Sequence, residues 1–165
     1  MKRLYNTEIP NEHTNIRNMF LFSAACGLRY SNVANLKWNN IKKDKSHTYI
    51  EYHQQKTDTD ELLPLSQTAI NILKSIKRVG SNVFQKETEP TVNITLKQWC
   101  KKARIKKDIS FHTARHTFCV LLLTSDVSIY TAQRLMCHSD ISSTKEYADI
   151  LNSTKLKAIK KLPVL

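Results

Sequence analysis

Phe111-His112-Thr113-Ala114-Arg115-His116-Thr117-Phe118-Cys119-Val120-Leu121-Leu122-Leu123 is the stretch on which the reading of this chain turns. Its second half is apolar on every side, so the run reads as a helix buried within a packed domain. Its first half is polar in a particular way. Residues three apart on a helix project from one face, so His112 and Arg115 can converge on a single small anion, while His116 lies one step round and faces elsewhere. His112 and His116 also have the i, i+4 spacing of a metal pair, with Cys119 nearby. Neither a carboxylate nor a further ligand lies close in sequence, and the Glu of a metalloprotease helix is missing, so no metal is expected.

Working outward toward the N-terminus, the spacing of Ile16, Met19, Phe20 and the Ala24-Ala25 pair predicts a helix over 13–26, with Gly27 as its C-terminal cap. Arg29 then falls just past a helix end, and Ser31 is read as the cap of a short second helix through Leu36. From Trp38 to Leu65 the pattern is extended. Thr48-Tyr49-Ile50-Glu51-Tyr52 and Glu61-Leu62-Leu63-Pro64-Leu65 flank the turn-rich Lys56-Thr57-Asp58-Thr59-Asp60, which predicts a β-hairpin with Lys56 at its tip and a third strand near 37–41. After Ser66 helices dominate: Ile70, Leu73 and Ile76 make a stripe ending at Gly80, and Pro90 opens a helix through Leu96, Trp99 and Cys100. Beyond the quoted stretch come a helix over 129–136, the capping box Ser143-Thr144-Lys145-Glu146 with Tyr147 directly after it, and an amphipathic piece from Thr154 to Leu162 stopped by Pro163. The expected fold class is α+β: mainly helical, with a small three-stranded antiparallel sheet.

The bulk numbers bound what such a domain does. With 165 residues, 41% of them hydrophobic, and only 2 Gly and 4 Pro, the chain has the size and composition of one folded domain. Its 26 Lys and Arg outnumber 14 Asp and Glu, a formal charge of +12, so the surface attracts polyanions and double-stranded DNA is the expected partner. No apolar run approaches membrane-spanning length and no signal or lipidation motif is present, so no membrane partner is expected and the cytoplasm is the expected compartment. Cys26, Cys100, Cys119 and Cys137 are widely spaced and read as reduced thiols. Lys97, Lys101, Lys102, Arg104, Lys106 and Lys107 form a dense basic run, read as a solvated face or as a stripe of DNA-backbone contacts.

Arg29, Lys56, His112, Arg115, His138 and Tyr147 are the candidate chemical groups. Each has an ordinary explanation taken singly: a surface charge, a structural His, a packed phenol. Taken together, two guanidiniums make a natural clamp for the non-bridging oxygens of a phosphodiester, because the planar fork stays charged and donates in pairs.

The ordered set Gly27-Leu28-Arg29-Tyr30-Ser31, Gln55-Lys56-Thr57, Phe111-His112-Thr113-Ala114-Arg115-His116-Thr117-Phe118, His138-Ser139 and Thr144-Lys145-Glu146-Tyr147 resembles the signature of the tyrosine recombinases, the phage-integrase type of DNA-rejoining enzyme. The resemblance runs from about residue 10 to 155. It implies that Tyr147 attacks a DNA phosphodiester to give a 3′-phosphotyrosyl link, that Arg29, Arg115 and His138 hold the phosphate oxygens, that Lys56 protonates the leaving 5′-oxygen, and that His112 accepts the phenol proton. The bond energy is kept in the phosphotyrosyl ester, so neither cofactor, ATP nor metal is implied.

The resemblance further implies that the chain is the catalytic domain over 1–165, without the N-terminal core-binding domain of the family. The 154–165 tail is expected to dock on its own domain or on a neighbour in a homotetramer on DNA. An integrase or transposase of a bacterial mobile element is favoured over a resolvase. Two departures stand out: Asn32 where an acidic residue is frequent, and Cys137 where Gly is usual before the His. The rival readings are a DNA-binding module that has lost catalysis and an enzyme like type IB topoisomerase.

Overall fold

One helix is buried nearly all the way round, and the rest of the fold is arranged on it. In the computed structural model, which describes residues 2–54, 59–125 and 127–136, this is α2, Thr14–Cys26. Ile16, Met19, Phe20, Leu21, Phe22, Ala24 and Cys26 are all buried, so α2 has no solvent stripe and needs partners on several sides. Those partners are α4 (Gln67–Ser75), α5 (Glu89–Lys102) and α6 (His112–Thr124). The aromatic contacts show how they interlock. Phe20 meets Trp99 of α5 and Phe111 edge-on, with centroids 6.3 and 6.2 Å apart, and Phe22 packs on Phe84 at 5.4 Å. A second, smaller core lies between α6 and α7 (Ile129–Leu135), built on Cys119, Leu123, Ala132 and Met136. The remaining helices are α1 (Lys2–Tyr5) and α3 (Tyr30–Ala34), with one-turn 3-10 segments at Asn11–His13 and Trp38–Asn40.

The sheet has three antiparallel strands, β1 (Ile41–Lys43), β2 (Thr48–Gln54) and β3 (Thr59–Pro64), in that order. Its register follows from burial. Ile50 faces Ile41 on one side and Leu63 on the other, and Ile50 and Leu63 turn toward the core, while Glu51 and Leu62 point outward as the two-residue period requires. The α+β class and the three-stranded antiparallel sheet agree with the expectation from sequence. Pro64 ends β3, which is an edge strand, where a missing N–H is tolerated.

Three boundaries depart from the sequence reading, each for a local reason. The first strand is Ile41–Lys43 rather than 37–41, because Trp38–Asn40 coils into a 3-10 turn held by Asn40 Oδ1 on the Lys37 N–H at 3.0 Å. Ser31 does not cap α3. Arg29 holds the N-cap position with extended backbone, its carbonyl already accepting from the Val33 N–H at 3.0 Å, and the helix ends at Ala34. Helix α4 stops at Ser75 instead of running to Gly80. There the Ser75 hydroxyl bonds the Ile72 carbonyl at 2.7 Å, and the following chain is drawn away by backbone bonds of Trp38 to Ser81 and of Val83 to Leu36.

Candidate active site

Three helix beginnings meet at one pocket. Arg29, Tyr30 and Ser31 come from the start of α3, Glu89 is the first residue of α5, and Phe111, His112 and Arg115 come from the start of α6. With Leu28 they line a cavity of about 230 Å³. The macrodipole at the start of α6 favours an anion and adds to the two guanidiniums, while at the start of α5 the Glu89 carboxylate offsets the dipole.

Each side chain is placed by a device visible in the local sequence. Gly27 caps α2 in the left-handed conformation at φ 79°, its N–H bonding the Ser23 carbonyl at 2.7 Å, and this sharp exit swings Leu28 and Arg29 toward α6. The buried Ser23 hydroxyl fastens the turn by donating to the Leu28 carbonyl at 2.7 Å. Only Gly fits at position 27 on a second count. A Cβ there would lie 2.4 Å from Cδ1 and 2.8 Å from Cε1 of Phe118, so the ring of α6 rests directly on the glycine. The start of α6 is fixed by Asn93, whose Oδ1 accepts the Phe111 N–H at 2.8 Å.

Arg115 is only 5% exposed, unusual for a cation. Its Nη1 donates to the Gly27 carbonyl at 2.6 Å and its Nη2 to the Met136 carbonyl, so the guanidinium ties the end of α2 to the end of α7. Arg29 is half-buried on the same pocket, and His112 is exposed at its rim. The His112 and His116 rings touch edge to face with centroids 4.4 Å apart. Among the described residues no group of three His, Cys, Asp or Glu side chains gathers.

Sequence reasoning missed two members of this pocket. Glu89 had no signal beyond its place beside Pro90 at a helix start, where an acidic residue answers the dipole. Tyr30 packs its ring on Phe111 at 5.4 Å and donates its hydroxyl to the Glu87 carbonyl. Burial, and then the negative charges of Glu89 and Glu87, raise its phenol above the ordinary value. Lys56, His138 and Tyr147 lie outside the described residues, as do Cys137, the 143–146 capping box and the 154–165 tail. Lys97, Lys101, Lys102, Arg104, Lys106 and Lys107 are all exposed around the end of α5, away from the pocket lining, and Lys97 pairs with Asp108 at 3.6 Å.

Cys26, one residue before the critical glycine, is completely enclosed, and burial pushes its thiol up to about 12 despite the Leu28 backbone bond and the nearby Arg115. A thiol reagent at neutral pH is therefore expected to label Cys26 only on unfolding, which peptide mass spectrometry with and without denaturant measures. The sign of the linkage is that of an acid whose folded value is raised. Its stabilisation is complete below the ordinary thiol value of 9.0 and is lost as pH rises from there toward about 12.

Comparison with known proteins places this geometry in a family context. The model of the phage integrase family matches residues 1–153. A tyrosine recombinase of Thermosipho africanus is 33% identical over 161 residues, covering 92% of this chain and 56% of that protein. Tyrosine recombinase XerA of Pyrococcus furiosus is 27% identical over 169 residues, covering 95% and 58%. Among solved structures, the XerA recombinase superposes with a TM-score of 0.74 at 20% identity, over 99% of this chain and 62% of that one. A lambda integrase dimer bound to a COC′ core site gives 0.72 at 18%, over 88% and 56%. The chain spans about half the length of the curated relatives it matches. Among the described residues no helix is long and apolar enough to cross a membrane.

Proposed function

The chain belongs to the phage integrase family, and from that premise we propose that it is the catalytic domain of a site-specific DNA recombinase that cuts and rejoins strands through a phosphotyrosyl intermediate. The observation that carries the reading is the pocket itself: Arg29 lines one cavity with His112 and Arg115, which lie far from it in sequence at the start of α6. Two guanidiniums and a helix start are the components that a phosphodiester needs as charge builds on its non-bridging oxygens.

The reaction then balances as follows. The Tyr147 oxygen forms a bond to phosphorus as the bond from phosphorus to the 5′-oxygen breaks. The phenol proton passes to His112, and Lys56 gives a proton to the departing 5′-oxygen. Arg29, Arg115 and His138 hold the oxygens of the pentavalent phosphate. Rejoining is the reverse reaction with a different 5′-hydroxyl. Lys56 falls in the sequence between β2 and β3, and an acid carried on a connecting segment can be brought in once DNA is bound. Lys101, Lys102, Arg104, Lys106 and Lys107 are proposed to contact the backbone outside the pocket, and assembly of four copies through the 154–165 tail is proposed for the synaptic complex. A mobile genetic element of a bacterium is the proposed setting.

The test is covalent trapping. The protein is incubated with nicked duplex DNA carrying candidate sites, and a denaturant-stable adduct is digested and mapped by mass spectrometry. The expected result is a nucleotide on the peptide containing Tyr147. Salt-sensitive DNA binding with no adduct overturns the reading in favour of a DNA-binding module without catalysis. An adduct accompanied by relaxation of supercoiled DNA with no preferred site overturns the recombinase assignment in favour of a topoisomerase.

A further inference from the structure

A second cationic surface lies at the other end of the sheet. Lys43 at the end of β1, Lys45 and His47 of the β1–β2 turn, Lys74 of α4, and Arg78 just past α4 line, together with Trp38, a groove of about 770 Å³. The cations come from two separate stretches, 43–47 and 74–78, so no single charged run accounts for the cluster. Lys43, Lys45, Lys74 and Arg78 are exposed, and none of the four is in an ion pair among the described residues. Asp44 lies in the same turn, its Oδ1 3.8 Å from His47 Nδ1. Its Oδ1 accepts the N–H groups of Ser46 and His47 at 2.7 and 2.6 Å, and these bonds hold its carboxyl below the usual range. Asp44 offsets one of these charges, and the cations it does not neutralise attract an external anion.

The groove also holds an aromatic group suited to a polymeric partner. The Arg78 guanidinium sits over the Trp38 ring at 4.4 Å from its centroid, which positions the cation by its face while leaving in-plane N–H groups to donate. The indole Nε1 of Trp38 is buried with no hydrogen-bond partner among the described residues. The β1–β2 turn lies at one end of β2, whose seven residues span roughly 20 Å, about the rise of six base pairs.

We propose that this groove is a second contact for the phosphate backbone of duplex DNA, binding it through Lys43, Lys45, Lys74 and the Trp38-supported Arg78, apart from the pocket of Arg29 and Arg115. It rests on the reading of the chain as a DNA enzyme and adds a surface to it. It gives the domain a hold on the duplex that does not pass through the reacting phosphate.

The test uses the full chain and a fluorescent duplex of about thirty base pairs, a length that reaches both surfaces. Affinity is measured by anisotropy across a salt series for the wild type and for a variant carrying Lys43→Gln, Lys45→Gln, Lys74→Gln and Arg78→Gln, with circular dichroism and thermal melting checking the fold. Each phosphate contact contributes about 0.9 to the slope of log affinity against log salt, so the variant, which lacks four cations, is expected to be shallower by about 3.6. Indole emission gives a local readout: Trp99 is buried, so a DNA-induced change should arise at Trp38 and vanish in Trp38→Phe. Equal slopes, or an emission change that survives Trp38→Phe, overturn the groove while leaving the recombinase reading intact. Loss of poly-glutamate binding with DNA binding unchanged reassigns the groove to an acidic protein. Failure of the wild type to bind the duplex at any salt overturns both readings.

Discussion

Arg115→Ala is expected to lower the rate of covalent adduct formation by about a thousandfold and, independently, to remove about 3–5 kcal/mol of stability. The two effects have separate origins. The stability loss comes from burial: the guanidinium is nearly inaccessible, and its removal leaves the carbonyls of Gly27 and Met136 without their donor and a void beneath α6. The rate loss follows from the role proposed for Arg115 at the scissile phosphate. Arg29→Ala separates them. Arg29 is half-buried and lines the same pocket, so its removal should cost a comparable factor in adduct formation with little change in the denaturation midpoint. Arg115→Lys keeps a charge but not the planar fork, and should recover part of the stability and little of the rate. Urea unfolding together with single-turnover cleavage checks all three variants. A fully active, destabilised Arg115→Ala protein would leave Arg115 with a structural role alone.

Gly27→Ala is expected to destabilise the domain by about 2–4 kcal/mol, a large effect for one added methyl group. Part arises from the left-handed backbone at φ 79°, which costs a residue with a Cβ about 1 kcal/mol or more. The rest arises from the ring of Phe118, 2.4 Å from where the methyl would sit. A double-mutant cycle divides the two, because Phe118→Leu should relieve the collision and leave the backbone strain. Since the Gly27 carbonyl also receives Arg115, the substitution should slow adduct formation as well, and Phe118→Leu should restore the rate along with the packing. Additive stability effects in that cycle would refute the contact.

Much of this molecule was legible in its sequence, and what was not has a common cause. The buried α2 with its glycine exit, the β2–β3 hairpin and the α6 stretch follow from periodicity and capping, which are local. The limits of β1 and α4 were misjudged because they are set by contacts across the fold, such as the bond from the Trp38 N–H to the Ser81 carbonyl. The site shows the same division. Arg29, His112 and Arg115 were picked out by residue type and family pattern, and all three line the pocket. Glu89 was not, since nothing near it in sequence shows that its helix begins beside those of Arg29 and His112. Nor was the burial of Arg115, because a guanidinium that answers two distant carbonyls has the same local sequence as one that faces solvent.

The bond from Arg115 to Met136 has a consequence for timing. The chain bearing His138 and Tyr147 departs from the very peptide that this guanidinium grips. Anything that tugs that departing segment, such as a neighbouring subunit holding the far end of the chain, pulls on the arginine through one carbonyl oxygen. On the catalytic reading, the segment that carries the proposed nucleophile and the proposed phosphate clamp thus share one hydrogen bond, at the Met136 carbonyl.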